Sequence, residues 1–120
     1  MKLLTPTDLF QKKQEEKMFT IVSGLSSSIN TELEIAFDEN SLKKIDMKEI
    51  TAKVDINSPV NELQPLRESI TLTIKAICEE SEWVIIPYVE IFINPGPNGY
   101  KSSTITLRGN FRPKSTTLDK

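Results

Sequence analysis

The stretch SPVNELQPLRESITLTIKAICEESEW, residues 58–83, constrains the fold more than any other, because two incompatible templates fit it. As a helix, Leu63, Leu66, Ile70, Ile74 and Ile77 share one face, Pro65 is tolerated in a first turn, and Glu62 and Glu68 sit where early acids are favoured. As a strand, Ile70, Leu72, Ile74, Ala76 and Cys78 alternate, and threonine and isoleucine favour sheets. The apolar spacing runs further than a strand needs, and a sheet built without this helix has only one other helix to cover it. The segment is therefore assigned to a helix. The alternative is a single N-terminal helix over a five-stranded antiparallel sheet.

That N-terminal helix opens at Thr5, with Pro6 in the first helical position and Asp8 three residues after the cap. Leu9, Phe10, Met18, Ile21, Val22, Leu25 and Ile29 are then expected to share one face at a 3.6-residue period. Between Phe10 and Met18 every residue is polar or charged, so the first half is expected to project beyond the core or to lie against a partner. Gly24 and the run Ser26, Ser27, Ser28 weaken the later turns, and the helix is expected to end near Asn30.

Four segments read as strands, and the first two alternate with one wet face. In TELEIAFD, Leu33, Ile35 and Phe37 alternate with polar neighbours, and in KEITAKVDI so do Ile50, Ala52, Val54 and Ile56. WVIIPYVEIFIN is rich in aromatic and β-branched residues, and Pro87 places it at a sheet edge, at a bulge, or with a start at Tyr88. KSSTITLRGNF is the last, and DENSLKKIDM between the first two has room for a helical turn around Leu42 to Ile45. The expected fold is thus α+β in the order αββαββ, two helices on one face of a four-stranded antiparallel sheet. Residues 1–111 form its single domain and 112–120 a polar tail.

INPGPNGYKSSTITL, residues 93–107, is the only stretch that suggests a phosphate loop. Pro95 and Pro97 lack the N–H donors such a loop needs, the G-x-x-x-x-G-K-[ST] spacing is missing, and a strand rather than a helix follows. Asn98-Gly99 instead suits a reversal between strands.

Other chemistry is equally sparse. With no histidine and one cysteine, Cys78, the usual zinc and copper sets, an internal disulfide and the commonest acid–base catalyst are all missing. Cys78 reads as a small buried hydrophobe, the serine run as helix-end capping, and the carboxylates Asp38, Glu39, Glu79, Glu80 and Glu82 as solvated element ends. No cofactor, no metal site and no catalytic residue is expected. No apolar run approaches a membrane span and the N-terminal sequence turns polar too early for a secretory segment, so the expectation is a cytoplasmic protein with no membrane contact.

The binding surfaces expected from the sequence are three. Lys13, Lys17 and Phe19 mark the polar part of the first helix. Pro97, Asn98, Tyr100 and Lys101 mark the tip of the proline-bounded loop, and Arg108 and Arg112 lie in the basic last twenty residues, which carry five basic side chains against Asp119. An edge strand at Tyr88 to Ile93 could also pair with another chain, including a second copy.

The opening MKLLTPTDLFQKKQEEK, running into a helix and a short alternating strand, resembles small bacteriophage-encoded α/β proteins of unassigned activity over about the first forty residues. The resemblance implies a non-enzymatic protein that binds a host protein or takes a place in the virion. Protein binding or assembly, with another protein or as a homo-oligomer, is thus the expected function. Nucleic-acid binding through the basic C-terminal segment is the alternative.

Overall fold

The computed structural model describes residues 2–94 and 102–115. In chain order they form α1 (Pro6–Ala36), α2 (Glu39–Lys43), β1 (Lys48–Ile56), α3 (Val60–Leu63), a 3-10 turn (Gln64–Leu66), α4 (Arg67–Glu80), β2 (Trp83–Ile93) and β3 (Ser103–Pro113). The fold is α+β, but the sheet has three antiparallel strands in the order β1-β3-β2 rather than four.

The missing strand was absorbed by α1. TELEIA carries both periods at once: Leu33, Ile35 and Phe37 alternate, yet Leu33 and Ala36 also extend the stripe that begins at Ile21, Leu25 and Ile29. Packing of that stripe outweighs the weak propensities of Gly24 and the three serines. Ile35 is left on the solvent side, 75% exposed, and Phe37 becomes the buried C-cap. The other end follows the sequence closely, with the Asp8 N–H donating to Thr5 Oγ1 at 3.0 Å. α2 forms one turn earlier than Leu42 because Asp38 and Ser41 make a reciprocal capping box.

α1 lies over β1 and α4 over β2, both on one face of the sheet. Ile50, Ala52 and Ile56, Ile85 and Val89, and Ile105, Leu107 and Phe111 point into that face, where they meet Ile21, Leu25, Ile29, Ile70 and Ile74. Cys78, not Ile77, completes the buried face of α4. An aromatic chain closes one end of the core, with Trp83 between Phe37 at 5.0 Å and Phe111 at 6.3 Å.

Close approach explains Gly24. A methyl group there would overlap Val54 Cγ2 and stand 3.2 Å from Val54 Cβ. One turn on, Ser28 Oγ accepts the outward N–H of Lys53 at 3.1 Å, so the helix also caps an edge amide of β1. Gly24→Ala is expected to lose about 1–2 kcal/mol, overpacking outweighing the gain in helix propensity. Val54→Ala in the same chain should recover most of that loss, as read from urea midpoints.

β2 is the other edge and is continuous through Pro87, which pairs with Gly109. The Val89 carbonyl points away from the sheet and accepts from Arg67 Nε at 2.7 Å. By alternation Pro87 also faces outward, so its missing N–H costs the ladder nothing. Arg112 and Pro113 belong to β3 rather than to a tail, and the Lys114 N–H donates to Glu82 O at 2.8 Å.

Candidate functional site

A strand in a two-layer fold presents alternate residues to the helices and to the other side, and no described element covers that other side. Along β2 the uncovered residues are Val84, Ile86, Tyr88, Glu90 and Phe92, so four of the five are apolar or aromatic. Ile86 is 70% exposed, Tyr88 54% and Phe92 46%. The stripe from Val84 to Phe92 runs about 27 Å at the rise of a strand. Unpartnered apolar surface on one face makes this stripe a candidate interaction surface.

Register sets what stands beside the stripe. Arg108 of β3 lies opposite Tyr88 on one side and Thr51 on the other, and Arg112 lies opposite Val84. Asn110 separates Ile86 from Glu49, Thr106 separates Glu90 from Lys53, and Thr104 donates to the Asp55 carboxylate at 2.6 Å. From the sheet edge the Arg67 guanidinium reaches over the Tyr88 ring, 5.3 Å from its centroid, while its Nε holds the Val89 carbonyl. Tyr88 is therefore fixed from one side.

Two shallow clefts flank it. One, of about 170 Å³, lies between Gln64, Arg67 and Phe92, and the other, of about 180 Å³, between Ile86, Arg108 and Asn110. Each is the size of one or two side chains. Together with the ridge of Tyr88 they form a surface suited to side chains of another macromolecule.

The residues singled out from the sequence divide between the two layers. Arg108 is exposed on the open face and Arg112 is half-buried there, its Nη1 donating to Pro113 O at 3.2 Å. Lys13, Lys17 and Phe19 lie on α1, on the helix side of the molecule. Lys17 pairs with Glu62 at 3.2 Å, and with Lys13 it lines a groove of about 630 Å³ closed by Phe10, Pro65 and Leu66. The buried Oε1 of Gln14, also at this groove, has no hydrogen-bond partner among the described residues. Pro97, Asn98, Tyr100 and Lys101 lie outside the described residues, as does the turn assigned to Asn98-Gly99. The strands on either side of that segment do pair, and the Asn94 N–H donates to Ser102 O at 3.1 Å.

Ile86 and Phe92 were not singled out from the sequence, and Tyr88 was noted only for its edge. The signal was present: WVIIPYVEIFI is apolar at both parities, and such a strand in a fold with one helix layer must expose one of its faces.

Cys78 is buried on α4, and burial, reinforced by the neighbouring Glu79, pushes its thiol up to about 11. It is held as the neutral thiol and packs as a hydrophobe. Alkylation by iodoacetamide at neutral pH is expected to be slower by about a hundredfold or more in the native protein than in urea, because only opened molecules react. Equal rates would place the sulfur at the surface.

Among the described residues no group of three His, Cys, Asp or Glu side chains converges, and no helix is long and apolar enough to cross a membrane. Comparison of the chain with family models, with curated proteins and with solved structures finds no match.

Proposed function

We propose that this chain is a protein-binding or assembly module that docks a partner protein on the open face of its sheet, and that it works by binding rather than catalysis. The observation that carries the reading is the stripe of Ile86, Tyr88 and Phe92, exposed side by side on a face no helix covers. Tyr88 has the features of an anchor: it is large, amphipathic and held by Arg67 before any partner arrives.

Nucleic acid is the second reading, favoured by the placement of Tyr88 between Arg67 and Arg108, which gives a ring for stacking beside two cations. Glu49, Asp55 and Glu90 share the face and oppose a polyanion, which is why the protein reading stands first.

Both are tested with the immobilised full chain in lysate of the cells in which it is made. Ile86→Asp with Tyr88→Ala is expected to lower capture of partner protein about tenfold or more, with unfolding midpoints unchanged. Capture unaffected by these changes would contradict the protein reading. Binding of a labelled single-stranded oligonucleotide that falls steeply with salt and is lost in Arg108→Glu would establish the second.

A further inference from the structure

The outer face of α1 carries a second pattern, independent of the open sheet. Leu9 does not share the face of Ile21, Leu25 and Ile29 as its spacing had suggested: with Lys12, Glu16 and Phe19 it follows a three-four-three spacing, and the four form one stripe turned away from that face. All four are exposed, Leu9 by 44% and Phe19 by 73%. Neither Lys12 nor Glu16 takes part in an ion pair among the described residues.

This stripe is self-complementary in one direction only. We infer that two copies of the chain associate through α1, antiparallel, with the two-fold axis at the level of Gln14. Leu9 then meets the partner's Phe19 and Lys12 meets the partner's Glu16, and the symmetry repeats both contacts. A parallel, in-register pair would instead set Lys12 against lysine and Glu16 against glutamate. Charges at the two central seam positions thus select orientation and register while weakening the pair, the role such residues have in coiled coils. The apolar residues at the two ends supply the attraction.

The dimer has a geometric consequence. The stripe faces away from the sheet, so pairing back to back on α1 turns the two open sheet faces in opposite directions. The assembly displays two copies of that face outward and can bridge two partners. The association itself does not depend on what the open face binds.

Sedimentation equilibrium of the full chain tests this, from about 5 µM to 1 mM, the range in which so small an interface would associate. A reversible monomer–dimer equilibrium is expected. Lys12→Glu alone and Glu16→Lys alone should each weaken it about tenfold, since the two-fold axis places two repulsive pairs in every dimer. The double exchange should restore the association constant to within about threefold. A disulfide between Leu9→Cys chains and Phe19→Cys chains should form in preference to one between two Leu9→Cys chains, which the antiparallel register holds about 15 Å apart. A monomer at every concentration, a dimer indifferent to the single exchanges, a double exchange as weak as the singles, or preferential Leu9→Cys self-coupling would each overturn the proposal. The exchanges lie on an exposed helix face, so far-UV circular dichroism should stay unchanged throughout.

Discussion

Ile74→Glu is expected to abolish cooperative folding, while Leu72→Glu, two residues earlier, should leave stability within about 0.5 kcal/mol of the parent. Ile74 is fully buried between α4 and the sheet, and Leu72 is 58% exposed on the opposite side of the helix. A carboxylate at position 74 has no described cation to meet, and an uncompensated buried charge costs more than about 4 kcal/mol, a large part of the 5–15 kcal/mol that holds a typical domain together. In a strand, residues 72 and 74 would share a face and the two changes would be similarly harmful. Thermal unfolding followed by circular dichroism distinguishes the cases, and comparable losses at the two positions would contradict the helix.

The second large effect is expected at Phe111. It is fully buried, lies on the central strand and meets Trp83 edge to face, and Trp83 in turn holds Phe37 at the end of α1. Phe111→Ala should cost about 3–5 kcal/mol, from lost transfer energy and the cavity left behind. Asn110→Ala, on the open face beside it, should cost less than about 1 kcal/mol, and urea unfolding compares the two. A loss below about 1 kcal/mol at Phe111 would show that the aromatic chain does not close the core. The same packing bears on truncation: Trp83 pairs with Pro113 and Val84 with Arg112. Removing residues from Arg112 onward therefore damages the sheet, and lost binding after that deletion would not by itself identify a nucleic-acid arm.

β1 and β3 were legible because single periods dominate: Ile50, Ala52 and Ile56, like Ile105, Leu107 and Phe111, keep one parity. α4 was not decided by period, since Ile70, Ile74 and Cys78 fit both alternation and a four-residue spacing; the reach of its apolar pattern and the need to cover the sheet pointed to the helix that forms. TELEIA did not yield, because six residues fit both periods. What decides between them is outside the segment, in the continuity of the stripe from Ile21 to Leu33 and the close seat of Gly24 on Val54. Losing that strand took the sheet from four strands to three and left β1 as an edge.

The candidate site was legible by composition but not by position. Arg108 stood out as basic and Tyr88 as an edge residue, yet nothing local brings them together. The register of β2 on β3 does so, and it is set across the whole hairpin, from Trp83 against Pro113 to Ile93 against Ser103. Exposure of Ile86 and Phe92 likewise follows from the number of layers, a property of the assembled fold.

The open face is the centre of the functional reading, and a photo-crosslinking side chain placed in the full chain tests it most directly. At Phe92 on the open face it should capture a heterologous protein in the cells that make the chain. At Leu72, equally accessible on the helix side, it should capture none. Adducts at Leu72 with none at Phe92 would move the partner to the helix layer and contradict the assignment.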